Sequence, residues 1–178
     1  WYYLVSQLPA LPSDVNAPLP VTEEYFMELC SRFLDGKSLK TMESLTLEPP
    51  RSKKATGSAT VDAWYSWERK LRLALGTIRA QRMKKDFSVE DASFPADIMQ
   101  TARTACGFES PLEAELFLNG ERLKLLESIT PSDGFSTDAV FAYALKLKLA
   151  GRMRKFNAEQ GMSSYKKIYE QILEGGIA

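Results

Sequence analysis

The segment from Ser136 to Asn157 carries apolar residues around most of a helical circumference. At about 100° per residue, Val140 and Leu147 lie on one side, whereas Phe141 and Leu149 lie on the other. A helix that is apolar nearly all round is buried between several neighbours. The pattern therefore predicts that this segment is the central helix of an all-α domain, with Ser136 as its N-cap.

Amphipathic spacing, capping residues and stop signals predict further helices around the central one. They span Thr22 to Asp35, Val61 to Lys85, a weaker segment from Ser88 to Cys106, Ser110 to about Ser128, and a last helix built on Tyr165, Ile168, Tyr169 and Ile172. Thr22 and Ser110 are the expected N-caps, and Gly36 is the expected stop of the first of these helices. The prediction is a bundle of five to six helices.

Two segments do not fit the helical pattern. The N-terminal WYYLVSQLPALP is rich in β-formers and aromatic residues and is followed by prolines, so a short extended segment is predicted there. The run EPPRSKKATGSAT predicts a flexible surface linker at about residues 48–60. We treat residues 1–178 as one helical domain with this linker inside it.

Composition is that of a globular protein without a global electric field. The chain has 178 residues, 23 basic and 23 acidic, and 44% of its residues are hydrophobic. A balanced charge does not attract nucleic acid or anionic lipid over long distances. Cys30 and Cys106 are far apart in apolar helical surroundings, which favours buried thiols in a reducing compartment over a disulfide framework.

The residues that usually carry catalysis or bind cofactors are missing from the sequence. There is no histidine, the commonest transition-metal ligand and the side chain that titrates near neutral pH. Gly36-Lys37-Ser38 resembles the end of a phosphate loop, but Ser31 stands where that motif requires glycine. We therefore expect a protein that is not an enzyme, with no cofactor, no metal and no small-molecule substrate.

A basic run marks the helix predicted from Val61 to Lys85. It contains Arg69, Lys70, Arg72, Arg79, Arg82, Lys84 and Lys85. These groups spread around the circumference, so a surface that contacts a protein partner is favoured over a nucleic-acid site. The candidate partner-binding residues are Arg69, Arg72, Arg79 and Arg82, whereas Trp64 and Trp67 are predicted to be core residues.

Three stretches of the chain carry a family resemblance. They are residues 2–11 (YYLVSQLPAL), residues 62–83 (DAWYSWERKLRLALGTIRAQRM), and residues 110–129 (SPLEAELFLNGERLKLLESI) followed by 141–156 (FAYALKLKLAGRMRKF). Together they resemble an uncharacterised bacterial family encoded among V-type ATPase subunits. That family is distantly similar to the all-helical component of the V/A-type ATPase that joins the central rotor shaft to the membrane proteolipid ring.

The resemblance implies a non-catalytic structural or coupling subunit of a bacterial V-type ATPase, associated with the cytoplasmic stalk. Its implied partners are other ATPase subunits, in the stalk and at the proteolipid ring, and it would reach the inner membrane only through them. The alternative is a free-standing cytosolic helical adaptor that binds another protein or nucleic acid through the basic helix at 61–85.

Overall fold

The chain folds into α-helices in a computed structural model that describes residues 2–12, 17–52, 54–85, 94–154 and 158–175. The helices are α1 (Tyr2–Gln7), α2 (Glu23–Phe33), α3 (Gly36–Glu43), α4 (Ala59–Arg82), α5 (Ala96–Gly107), α6 (Pro111–Ile129), α7 (Thr137–Arg154) and α8 (Ala158–Gly175). Within those ranges there is no β-strand, and the all-α helical bundle is confirmed.

Helix α7 occupies the centre of the bundle, as its sequence predicts. It packs against α3, α4 and α6. Its buried residues are Val140, Phe141, Ala142, Ala144, Leu145, Leu147, Leu149 and Met153. The Ser136 hydroxyl accepts a hydrogen bond from the Ala139 amide at 3.2 Å, which is the expected N-cap contact. The predicted last residues of this helix, 155–157, lie outside the described residues.

Capping side chains start two other helices where the sequence predicts. The Thr22 hydroxyl accepts a hydrogen bond from the Tyr25 amide at 3.2 Å. At α6, the Ser110 hydroxyl accepts one from the Glu113 amide at 3.4 Å, with Pro111 in the first turn. Each cap satisfies an amide that has no partner inside its own helix, so short-range chemistry sets both boundaries.

Two local predictions are wrong. Residues Tyr2–Gln7 form helix α1 and not an extended segment, because Leu4 is fully buried and the helix turns Val5 and Leu8 onto the same core. Gly36 does not end the helical region but begins α3. The Asp35 carboxylate accepts hydrogen bonds from the next two amides, and this cap starts the new helix.

The segment predicted to be a flexible linker is fastened to the bundle at both ends. Its carbonyl at Pro50 accepts a hydrogen bond from Arg69 at 2.7 Å. Ser58 is 3% exposed and donates to the Asp138 carboxylate of α7 at 2.6 Å. Helix α4 therefore begins at Ala59, two residues before the predicted start. The flexibility of the residues between these two contacts stays a prediction.

The buried apolar residues form two clusters that meet along α4. The larger cluster joins α1, α2, α3 and α7 to the first turns of α4, where Trp64 is fully buried. The smaller one joins α5 to the second half of α4, from Leu71 to Ile78, with Trp67 packed against it. Helix α6 supplies Leu118 to the smaller cluster and Leu126 to the larger. Both tryptophans belong to the core, as predicted.

Both cysteines are free, and Cys30 is sealed inside the larger cluster. Burial raises the pKa of its thiol to about 12, because the thiolate would lose its hydration. Cys30 therefore remains protonated and apolar at neutral pH, as the sequence predicts for a buried thiol.

Leu147→Asp should test the central position of α7. Leu147 is 1% exposed in the larger cluster, so an unpaired carboxylate there would cost several kcal/mol, on the order of 3 or more. Chemical denaturation should show this loss, and Lys54→Ala, on an exposed side chain, should leave the free energy of unfolding unchanged. A Leu147→Asp protein as stable as the parent would contradict the assignment.

Candidate interaction site and its ionic network

The four arginines predicted to bind a partner do not form one free surface. Arg69 donates to the Pro50 carbonyl, and Arg72 contacts two carboxylates. Arg82 donates to the carbonyl of Cys106 in the last turn of α5, where a cation offsets the negative end of the helix dipole. Arg79 is exposed, and its side chain makes no hydrogen bond or ion pair with any described residue. The structure thus uses three of the four inside the molecule.

Glu68 of α4 is the centre of a buried ionic network. Its side chain is 1% exposed, and both of its oxygens are paired with Arg122 of α6. The Nε of Arg122 lies 3.0 Å from Oε2 and its Nη2 lies 3.0 Å from Oε1, a bidentate contact. Arg72 Nε donates to the same Oε1 at 2.8 Å, which confirms the pairing expected from its spacing to Glu68. Arg72 also reaches Glu48 at 3.3 Å.

The network extends from α6 to α7. Arg122 Nη1 donates to Glu115 Oε1 at 3.1 Å and to Asn119 Oδ1 at 3.0 Å. Glu115 in turn accepts from Arg152, near the end of α7. We call this set, Glu48, Glu68, Arg72, Glu115, Asn119, Arg122 and Arg152, the Glu68 network. It joins α4, α6 and α7 through charge-assisted hydrogen bonds.

The network balances its own charges. Three carboxylates face three guanidinium groups, which is the condition for holding ions away from water. Burial opposes the charge on Arg122, but the hydrogen bonds and charges of Glu68 and Glu115 outweigh it and raise the pKa of the guanidinium above its ordinary value. One polar atom is left over: the Asn119 amide nitrogen is buried and has no hydrogen-bond partner among the described residues.

Sequence reasoning identified only the Glu68–Arg72 part of this network. Glu115, Asn119 and Arg122 lie at i, i+4 and i+7 and so share one face of α6, which was a usable signal. Their interpretation needed the position of Glu68, which is separated from Arg122 by 54 residues. Only the packing of α4 on α6 brings the two together.

The C-terminal end of α4 is a different kind of site, since its charges face solvent. Arg79, Arg82, Lys84 and Lys85 are exposed there, beside a Met83 that is 60% exposed. Lys84 adopts φ 51°, which turns the chain away from the helix axis. We call this group of five residues the basic end of α4. It is the part of the predicted basic surface that remains available to a partner.

A polar cleft of about 170 Å³ lies where α3, α4 and α7 begin, and Lys37 and Ser38 are among its lining residues. Helix N-termini attract anions, but this position is already filled. The Asp138 carboxylate accepts from Ser58 at 2.6 Å and from the Thr60 amide at 3.3 Å. The cleft is therefore a structural junction in which a side chain of this protein caps α4.

Arg122→Ala should destabilise the fold by about 3–5 kcal/mol, because Glu68 would keep its buried charge and lose its bidentate partner. Urea denaturation measures the loss. The double variant Glu68→Gln with Arg122→Met removes both charges of the pair and should recover part of it. Equal stability of Arg122→Ala and the parent would mean that the network contributes nothing to holding α4 on α6.

The described residues contain neither a metal site nor a membrane span. No group of three or more metal-binding side chains occurs in the described ranges, and no helix described in the structure is long and apolar enough to cross a bilayer. No family model, curated protein or solved structure matches the chain.

Proposed function

We propose that this protein is a non-catalytic structural or coupling subunit of a bacterial V-type ATPase, associated with the cytoplasmic stalk. The partner class comes from the family resemblance of the three stretches at residues 2–11, 62–83 and 110–156. The structural observation that supports the role is the Glu68 network, which fastens three helices to one another in the interior.

A part that transmits force has to resist bending and shear between its helices. Apolar contacts alone are non-directional and allow neighbouring helices to slide by small steps. A bidentate arginine–carboxylate pair is directional, and it fixes the register of α4 against α6. The 24 residues of α4 extend through both apolar clusters and the ionic layer between them, which suits a stiff coupling element.

The partner contact is proposed at the basic end of α4. Arg79, Lys84 and Lys85 are exposed cations whose side chains make no ion pair with described residues, and Met83 adds an apolar contact beside them. Such a group suits an acidic surface of another protein, where complementary charge sets orientation and speeds association. The protein would thus lie in the cytoplasm, peripheral to the inner membrane through the ATPase complex.

Reversing charges at this end tests the proposal. Arg79→Glu with Lys84→Glu should weaken co-purification with stalk subunits by about tenfold or more while leaving the melting temperature unchanged. Arg82 is kept because its contact with α5 is structural. The matched control is Lys40→Glu with Lys54→Glu, which reverses two exposed lysines elsewhere and changes the net charge by the same amount.

A salt titration separates this function from the adaptor alternative. A protein interface with a packed centre should tolerate moderate salt, whereas phosphate contacts by several cations lose affinity by orders of magnitude between ~50 and ~200 mM. The parent and both variants are titrated against purified stalk subunits and against single- and double-stranded oligonucleotides. Tight, salt-sensitive oligonucleotide binding without association with any ATPase subunit would overturn the proposal.

A further inference from the structure

Helix α8 presents a complete apolar face to solvent. Met162, Tyr165, Ile168, Tyr169 and Ile172 follow one another at intervals of three and four residues, apart from the adjacent pair 168–169. Each is between 52% and 66% exposed. The rings of Tyr165 and Tyr169 stack on each other at 6.1 Å, so the face is continuous. A monomeric surface rarely exposes this many large apolar side chains together, and such a patch indicates a contact with another protein surface.

An apolar groove is open elsewhere in the same chain. It has a volume of about 430 Å³ and lies between α1, the turn that follows it, and the first half of α7. Val5, Leu8 and Leu11 form one wall, and Ala139, Tyr143 and Lys146 lie along the other. The Tyr143 hydroxyl donates to the Pro9 carbonyl at 2.9 Å, which holds the two walls together. Burial raises the pKa of this tyrosine to about 12, so the hydroxyl keeps its proton and the contact persists at neutral pH.

The groove has the features of a binding site for an amphipathic helix. Ala139 is small and lets a second helix approach α7 closely, while the aliphatic wall accepts side chains spaced at i, i+3, i+4 and i+7. Helix α8 has that spacing. We propose that two copies of this chain associate by exchange, with α8 of each copy seated in the groove between α1 and α7 of the other.

Two copies satisfy both surfaces at once. In a single chain, α8 leaves its apolar face in solvent and the groove stays open. A two-fold arrangement repeats the same helix-in-groove contact twice, so a closed dimer leaves neither surface uncovered. If each of the five side chains removes on the order of 100 Å² from water, one helix contributes roughly 500 Å². With the groove side and the symmetric contact included, the total is about 2,000 Å², which is sufficient for a stable dimer.

Charge complementarity supports the same pairing. Lys146 is the charged residue among those that line the groove. On α8, Glu170 is exposed next to the apolar face, directly after Tyr169. An acid at the edge of the inserted helix and a lysine at the edge of the groove form a complementary pair in each of the two contacts.

Sedimentation equilibrium of the full chain tests the exchange. The parent should be a dimer at micromolar concentration. Ile168→Asp with Ile172→Asp should weaken dimerisation at least about a hundredfold, and Ala139→Glu in the groove should do the same. Ser163→Asp with Gln171→Asp, on the polar face of α8, is the matched control and should leave the dimer intact. Circular dichroism should give the parent's helix content and melting temperature for each variant.

A mixing experiment distinguishes exchange from docking within one chain. Lys146→Glu and Glu170→Lys each place like charges in both contacts of a homodimer and should weaken it several-fold. Mixed together, the two variants form a heterodimer in which one contact carries the parent pair and the other carries the reversed pair, so no contact has like charges and affinity should recover. Docking of α8 on its own groove would gain nothing from mixing.

Three results would overturn the exchange. A parent that stays monomeric at every concentration is the first. The second is a dimer that is sensitive to Ile168→Asp with Ile172→Asp but insensitive to Ala139→Glu, which would indicate pairing between two α8 helices. The third is a mixture of Lys146→Glu and Glu170→Lys that associates no better than either variant alone. None of these outcomes bears on ATPase binding through α4, so the two proposals fail separately.

Discussion

A carboxylate held in the interior without water constrains the arrangement of the helices. Glu68 lies on α4 between two apolar clusters, and its charge has to be matched where it stands. Arg122 supplies a bidentate partner from α6, and Arg72 adds a second cation from the next turn of α4. Because these hydrogen bonds are directional, they select one register of α4 on α6 from the many that apolar packing alone would allow.

The same requirement decides which charges remain for other molecules. Arg72, Arg122 and Arg152 are used in the Glu68 network, and Arg69 and Arg82 hold other parts of the bundle together. What faces outward is therefore the basic end of α4 and the apolar side of α8. One surface is suited to steering an acidic partner and the other to a buried helix contact, so the proposed ATPase contact and the proposed self-association do not compete for residues.

The two local errors of the sequence analysis have different physical causes. Residues Tyr2–Gln7 have a β-rich composition, yet they are helical because the helix places Leu4 in the core and turns Val5 and Leu8 toward it, and burial outweighs a propensity difference of at most about 1 kcal/mol. At Gly36, two boundary signals overlap. Glycine often ends a helix, but Asp35 immediately before it is a strong N-cap, and here the cap begins α3.

The sequence by itself determined the all-α class, the caps at Thr22, Ser110 and Ser136, and the burial of α7, because these depend on contacts within a few residues or on periodicity along one helix. It also predicted the amphipathic face of α8. Only the tertiary structure decided that Glu68 is buried, that Arg122 is its partner across 54 residues, and that three of the four candidate arginines are used internally. The physical reason is that pairing between distant charges depends on how helices pack, and no local pattern encodes that geometry.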